Sequence, residues 1–222
     1  MKIDLHVHTK HSPDSISSIE RIIKTAKKKG MDAVAITDHD TAKGWREALK
    51  VSKKLNFPVV LGEEIMTITD GRKTGEILGL FLNEEIKSRE PMEVIDEIKS
   101  QDGVVVIPHP FDNQRITLKN IKKYLKFIDA IEAFNSKVNS KSANLKAFEF
   151  AVENKIGTTG GSDAHIWLNV GNAYTVANAS DLESFRKAIK NGKTGAYGRM
   201  RPSYTKFFPK IAKIYKTIFS RS

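Results

Sequence analysis

The sequence predicts a one-domain α/β protein in which parallel strands alternate with amphipathic helices and close, or nearly close, into a barrel. Three observations carry this reading. Short β-branched apolar runs recur between stretches with helical spacing of apolar residues, the pattern of βα units whose strands are buried on both faces. The 222 residues suffice for a single hydrophobic core of that kind. Five of the six histidines fall just after an apolar run, at a strand's C-terminal end, where such barrels gather their functional side chains. An open doubly wound sheet would give the same linear pattern, and the histidines favour the barrel.

The elements follow in order. A strand over residues 2–7 precedes a helix over 16–29, which carries Ile19, Ile22, Ile23 and Ala26 at helical spacing and stops at Gly30, a residue suited to a C-cap. Strand 32–37 leads to helix 42–55, and two further strands are predicted over 58–61 and 76–82. A helix over 91–100 has proline in its first turn. Then come strand 104–107, helix 118–125, strand 130–133, helix 143–153, strands 157–159 and 173–176, and helix 181–190 ending near Gly192. No internal repeat, low-complexity tract or linker composition breaks the chain.

Composition narrows the chemistry. With 40% hydrophobic and 28% charged residues the chain reads as a soluble globular protein. Zero cysteines exclude disulfides, thiolate nucleophiles, iron–sulfur clusters and cysteine-rich zinc sites, so any metal must be held by nitrogen and oxygen. A net charge of +11 favours anionic partners, among them phosphates, nucleic acid and an acidic membrane surface, without choosing between them. Met1 leads directly into a strand, and no stretch approaches the roughly 18 apolar residues of a membrane span, so a cytoplasmic protein with no integral membrane segment is expected.

The histidines stand in clusters with acids: His6 and His8 in Asp-Leu-His-Val-His, His39 in Asp-His-Asp, His109 between two prolines, and His165 in Asp163-Ala-His. Alternate strand residues share a face, so His6 and His8 can reach one ion, and Asp163 with His165 repeats the spacing. Asp38 and His39 are adjacent, so on a regular strand one of them faces the site while the other orients a ligand or turns in where the strand ends. A single such histidine is an ordinary structural residue. Four clusters at the same ends of different strands instead point to one multinuclear site for borderline divalent metals.

These clusters carry a family resemblance. Asp-Leu-His-Val-His-Thr at 4–9, Ile-Thr-Asp-His-Asp-Thr at 36–41, Gly-Glu-Glu-Ile at 62–65, Ile-Pro-His-Pro at 107–110 and Gly-Ser-Asp-Ala-His at 161–165 resemble, in order, the motifs of the PHP superfamily, the polymerase and histidinol phosphatase metallophosphoesterases. The resemblance spans about residues 1–200, leaving 201–222 as a C-terminal helix. It implies a distorted (β/α)7 TIM-like barrel, the PHP fold, with two or three divalent ions (zinc, manganese or iron) in a trinuclear centre at the C-terminal mouth. It further implies that His6, His8, Glu64 and Asp163 hold one metal, with Glu64 bridging to a second bound by His109, and that Asp14, His39 and His165 hold the third. Glu64 rather than Glu63 is implied because the family pattern is Gly-x-Glu. Glu76 stands where many members have a histidine before Leu-Gly; a carboxylate there shifts preference toward manganese or iron.

Other residues are weighed singly. His11 reads as a solvated loop residue near the mouth, ahead of a substrate contact. Asn135 ends a strand and either hydrogen-bonds a ligand or substrate oxygen or serves turn chemistry. Arg115 and Arg199 are the candidates for binding a phosphate, to which a guanidinium fork is suited. From Pro209 onward, Ile211, Ile214, Tyr215, Ile218 and Phe219 share a helical face bordered by Lys210, Lys213, Lys216 and Arg221. Packing of this stripe on the barrel needs fewer assumptions than a membrane or nucleic-acid surface.

The expected function is hydrolysis of phosphomonoesters, small phosphates or nucleotides, by a metal-activated hydroxide, with Asp163 and His165 at the reacting centre and His165 or a metal-bound water assisting the leaving group. A nuclease acting on oligonucleotide ends is the alternative, supported by the charge of +11. A catalytically silent, metal-stabilised binding module is a third reading, against which the complete ligand set argues.

Overall fold

The computed structural model describes residues 1–219. Nine strands form one sheet: β1 (Lys2–Asp4), β2 (Ala33–His39), β3 (Val59–Thr69), β4 (Arg72–Leu80), β5 (Val104–Ile107), β6 (Ala130–Asn135), β7 (Gly157–Gly161), β8 (Ala173–Ala177) and β9 (Thr194–Gly198). Six helices accompany them: α1 (Ile19–Lys28), α2 (Trp45–Leu55), α3 (Pro91–Ser100), α4 (Lys141–Glu153), α5 (Leu182–Lys190) and α6 (Phe208–Phe219). The strand order is β7-β6-β5-β4-β3-β2-β1-β8-β9.

Strands β1, β2 and β3 run parallel, as do β5, β6 and β7, whereas β4 is antiparallel to both its neighbours. Beyond β1 the chain continues to Val7, which bridges Ala164 in parallel fashion just after β7. Asp163 N donates to His6 O at 2.7 Å and His8 N to Ala164 O at 3.0 Å, while Val7 O accepts from Thr37 N at 2.9 Å on the other side. This junction closes β1–β7 into a seven-stave barrel, the distorted α/β barrel expected. Strands β8 and β9 extend outside it, antiparallel, from the edge of β1.

Alternation along the strands divides the core in two. Val34, Ile36, Val105 and Ile107 pack with Ile22, Ile23 and Ile98 of the surrounding helices. Their neighbours Ala33, Ala35, Val104 and Val106 pack with Ile3, Leu5, Val60 and Leu80 in the second cluster, which Phe185 and Ile189 of α5 complete. Helix α5 therefore covers the end where the strands begin: Arg186 Nη1 donates to Asp102 O at 2.5 Å, just before β5. The opposite end, where the strands finish, is left for polar side chains.

Four expectations are corrected. The strands read at 58–61 and 76–82 are the halves of one long hairpin, turned by Asp70 and Gly71 with φ of 50° and 71°; this Asp-Gly is the two-residue signal that joins antiparallel strands, and β4 accordingly runs against the barrel direction. Strand β9 was not expected. The helix read at 118–125 shrinks to a 3-10 turn at Ile121–Tyr124, because Asn120 is left-handed (φ 53°) and Lys119 N donates to Thr74 O at 3.1 Å. Helix α6 forms, but its stripe is not the packing surface: Ile211, Ile214, Tyr215 and Ile218 are exposed. Ala212 is buried instead, and Lys216 Nζ donates to the carbonyls of Lys10 and Ser12. Helical geometry places 212, 213 and 216 on the side away from 211, 214 and 218, so seating the lysines turns the isoleucines outward. Arg221 lies outside the described residues. Among the described residues no helix is long and apolar enough to cross a membrane.

Candidate metal centre

The barrel closure delivers the first ligand candidates. His6 and His8 flank Val7, whose side chain joins the apolar core, so both imidazoles project to the polar side and are fully buried. Across β2 and β3 the parallel register sets His39 opposite Glu64, and Glu64 in turn pairs with Leu78 of β4. His109 follows β5 and Asp163 follows β7, and both hold left-handed backbone, with φ of 32° and 50°. Such conformations cost about 1–3 kcal/mol each and cluster where a side chain must be aimed against the run of the chain.

All nine residues read as ligand candidates converge. His6 Nε2 lies 3.2 Å from Glu64 Oε1 and 4.0 Å from Asp163 Oδ1. His8 Nε2 lies 3.3 Å from Glu64 Oε2 and 3.4 Å from Asp163 Oδ1. His109 Nε2 sits 3.0 Å from Glu64 Oε1 and 3.6 Å from Glu76 Oε2. Asp14 Oδ1 is 3.2 Å from His165 Nε2 and 3.6 Å from His39 Nε2, whose other nitrogen is 3.1 Å from Glu64 Oε2. Glu63, next to Glu64, points the other way and accepts from Ile86 N at 3.1 Å.

These groups fit divalent ions. His6 Nε2, His8 Nε2 and Asp14 Oδ1 are buried without a hydrogen-bond partner, a state that costs stability unless something electropositive fills it. Ligand atoms of His6, His8 and Asp163 lie within 4.8 Å of one another, as do those of His6, Glu64 and His109, of His8, His39 and His165, and of His39, Glu64 and Glu76. The donor set is all nitrogen and oxygen, as the absence of cysteine requires.

Supporting residues fix the ring orientations. His6 Nδ1 donates to Glu132 Oε1 at 3.0 Å, and Glu132 Oε2 accepts from His109 N and Asn135 Nδ2, both at 2.9 Å. His8 Nδ1 donates to Ser12 Oγ at 3.1 Å, and Ser12 Oγ donates to Asp38 Oδ1 at 2.7 Å. His6 and His8 thus both present Nε2 inward, the arrangement in which a carboxylate, here Glu132 directly and Asp38 through Ser12, holds the tautomer of a metal ligand. Asp38 is accordingly the member of its pair that orients, while His39 faces the cluster. Glu132 was missed as a site residue; its signal was a lone acid inside an apolar strand, Ile131-Glu132-Ala133.

The electrostatics follow from burial against charge. Burial opposes protonation of His6, but Glu64, Asp163 and Glu132 outweigh it and hold its pKa well above the ordinary imidazole value. His8 goes the other way, lowered by burial and by His165 and His39. Burial would raise Asp163, yet Arg115, Lys137 and His6 hold it well below the usual carboxylate range. Glu76 is pushed up by burial and by Glu64 beside it.

Of the predicted substrate contacts, Arg115 reaches the centre: its Nη1 pairs with Asp163 Oδ2. Asn135 is there too, but its amide donates to Glu132 and Asp163 and its Oδ1 accepts from Lys137 N and Val138 N, so its capacity is spent within the chain. Arg199 is not brought to the cluster; β9 carries it to Asn172, with Nε 3.4 Å from Asn172 Oδ1. Two residues on, Arg201 has a buried Nε without a partner, and its backbone N donates to Ser136 O at 2.8 Å. Lys137 was also missed: its Nζ lies 3.1 Å from both Asp163 Oδ1 and His165 Nε2. His11 pairs with Glu47 at 3.2 Å. A cavity of about 350 Å³ opens over the cluster between Asp14, His39, Glu64, Glu76, Arg115 and Lys137.

A barrel of this topology with an acid–imidazole cluster at its C-terminal mouth defines the class, and sequence comparison names it. The chain belongs to the PHP domain family, whose pattern matches residues 4–195. It is 43% identical over 147 residues to the uncharacterized protein MJ1587 of Methanocaldococcus jannaschii, covering 61% of this chain and 82% of that one. To MJ0417 of the same organism it is 36% identical over 190 residues, 82% of this chain and 73% of the relative. A 71-residue stretch, 32% of this chain, is 34% identical to 5% of the PolC-type DNA polymerase III of Bacillus cereus. A two-domain protein from Bacteroides vulgatus containing a predicted PHP-like metal-dependent phosphoesterase superposes with a TM-score of 0.75 at 19% identity, over 96% of this chain and 69% of that one. PsfC from Pseudomonas syringae superposes with a TM-score of 0.66 at 18% identity over 98% of both chains. At these identities the two structures share the fold.

Proposed function

We propose that this chain is a metal-dependent phosphoesterase that hydrolyses phosphomonoesters of small molecules, nucleotides included. One observation carries the reading: buried imidazole nitrogens without protein partners face carboxylates, while Arg115 and Lys137 both reach Asp163 at the wall of the same cavity. Cations beside a metal-type cluster suit a ligand that is itself anionic.

In this reading His6, His8, Asp163 and Glu64 hold one ion, Glu64, His109 and Glu76 a second, and Asp14, His39 and His165 a third. Bound there, divalent ions would supply Lewis acidity, activating water and neutralising phosphoester oxygens. The remaining work falls to the chain. Arg115, its guanidinium held by Asp163 and Asp112, orients a phosphate oxygen. Burial, and then Lys137, lower the His165 pKa, which favours an imidazole that ligates over one that delivers a proton. Lys137 takes over that role as the ammonium beside the leaving oxygen. Glu132 and Asp38 keep His6 and His8 aimed inward.

A nuclease is the second reading, favoured by the net charge of +11 and by the stretch similar to a PolC-type polymerase. The test is hydrolysis of phosphomonoesters, nucleotides and short oligonucleotides with zinc, manganese or iron, alongside metal analysis of the protein. Release of phosphate from monoesters supports the proposal. Cleavage of oligonucleotides alone, with rates falling steeply with salt, moves the assignment to the nuclease; a metal-loaded protein inert toward every phosphoester overturns both.

A further inference from the structure

Helix α6 presents a face that the barrel does not use. Ile211, Ile214 and Ile218 are 53%, 60% and 61% exposed, and Tyr204 and Phe207 just before the helix are 68% and 66% exposed. Five large apolar side chains on one short segment form the kind of patch that soluble surfaces keep only for a partner. The other side of the helix is engaged: Ala212 is buried, Lys216 holds the carbonyls of residues 10 and 12, and Lys213 Nζ lies 3.9 Å from Asp14 Oδ2. The stripe thus faces away from the cavity over the metal cluster.

Charge identifies the partner. No aspartate or glutamate occurs from residue 184 to 222, whereas eleven lysines and arginines do; residues 1–183 are balanced, and the whole net charge of +11 arises in this last stretch. Lys206 and Lys210, both exposed, border the stripe. Three of the five side chains are isoleucines, which give a nucleic acid nothing to stack on, whereas Tyr204 and Phe207 equally suit a membrane interface, where a ring sits with one end apolar and the other wet. Two copies of this surface would bring like charges together. An apolar stripe edged by lysine and free of acids matches an anionic bilayer, with the side chains in the acyl boundary and the ammonium groups among the headgroup phosphates.

We propose that Tyr204, Phe207, Ile211, Ile214 and Ile218, with Lys206 and Lys210, form a surface by which this protein docks reversibly on anionic lipid membranes. The proposal is independent of the metal-centre reading, and its test needs no substrate. The whole protein is sedimented with vesicles of phosphatidylcholine alone, or of equimolar phosphatidylcholine and phosphatidylglycerol. Binding at least about tenfold stronger to the anionic vesicles, weakening with salt, is the expected result. The double variant Ile214→Asp/Ile218→Asp, altered only at exposed positions, should melt like the parent and lose about tenfold or more of that binding. Lys206→Glu/Lys210→Glu should lose roughly fivefold or more per lysine on anionic vesicles. Equal binding to neutral vesicles, no binding, or unchanged binding by the isoleucine variant overturns the proposal. So does a dimer in sedimentation velocity, or oligonucleotide binding, that this variant abolishes while vesicles are not bound.

Discussion

Glu132 Oε1 accepts a hydrogen bond from His6 Nδ1 at 3.0 Å, and this contact decides which nitrogen of His6 faces the cluster. The other oxygen of Glu132 accepts from His109 N and Asn135 Nδ2, so one carboxylate ties β6 to two of the metal-site loops. Glutamine at this position would turn an amide N–H toward one of these donors whichever way it flipped. Glu132→Gln is therefore expected to weaken metal affinity roughly 10- to 100-fold, read by titration of the metal-free protein. Unchanged affinity would remove Glu132 from the centre.

Arg115 pairs with Asp163 at the cavity wall. Arg115→Ala should lower kcat/KM for a phosphomonoester by about 2–3 kcal/mol, the worth of a charge-assisted hydrogen bond in a desolvated site, mostly through KM. Arg115→Lys should recover only part, because a single ammonium cannot reproduce the fork. Steady-state kinetics on both variants checks this; equal loss in the two would mean that the charge does not matter.

Burial, and then Arg115, hold the Lys137 ammonium below the ordinary lysine range. A proton donor of that kind matters most for poor leaving groups. Lys137→Met should depress hydrolysis of an alkyl phosphate roughly 100-fold more than that of p-nitrophenyl phosphate. The alkaline limb of the alkyl phosphate profile should also disappear. A uniform loss with both substrates would assign Lys137 to binding alone.

Gly161 ends β7 against His6. A Cβ there would lie 2.4 Å from His6 Cβ and 2.6 Å from Glu132 Oε1. Gly161→Ala is expected to cost about 1–3 kcal/mol of stability, as overpacking does, and to displace His6. Both should register together, as a lower melting temperature and weaker metal binding. A variant that keeps both would show that the strand end yields.

Burial, with Oε1 left without a partner, pushes the Glu63 carboxyl up to about 7 from an ordinary 4.5. The folded chain then binds this proton more tightly than the unfolded chain, so the contribution of Glu63 to stability falls as pH rises through this window. Glu63→Gln should accordingly be more stable than the parent above pH 7, by on the order of 2–3 kcal/mol, with the difference vanishing below about pH 4.5. Denaturant unfolding across that range tests it, and a difference constant with pH would refute the buried charge.

Much of this was legible in the chain because it depends on local spacing. Alternation across Val7 puts His6 and His8 on one face of any strand that contains them, and the parallel barrel follows from apolar runs separated by helical stretches. The boundaries of α3 and β5 are those the sequence predicted, since Pro91 opens the helix and Gly103 precedes the strand. Where the reading failed, the deciding contact was long-range or the local signal was passed over. Asp70-Gly71 carried the hairpin, yet β4 was read as one more parallel strand. Arg199 and Arg201 are indistinguishable by sequence, and only the path of the chain after β9 bonds the first to Asn172 and the backbone of the second to Ser136.

By itself the sequence determined the chemical inventory: a nitrogen–oxygen ligand set, strands ending in histidine and acid, and a basic C-terminal stretch. Tertiary structure alone decided three matters. The parallel bridge from Val7 to Ala164 closes the barrel and brings groups more than 150 residues apart within a few ångströms. Glu132 and Lys137 join the site, while Asn135 is used up and Arg199 is carried away. Helix α6 seats Lys213 and Lys216 against the barrel and leaves its isoleucines to the solvent. The physical reason is the same throughout: side-chain periodicity is a property of neighbours in the chain, whereas hydrogen-bond satisfaction and charge pairing are settled only among neighbours in space.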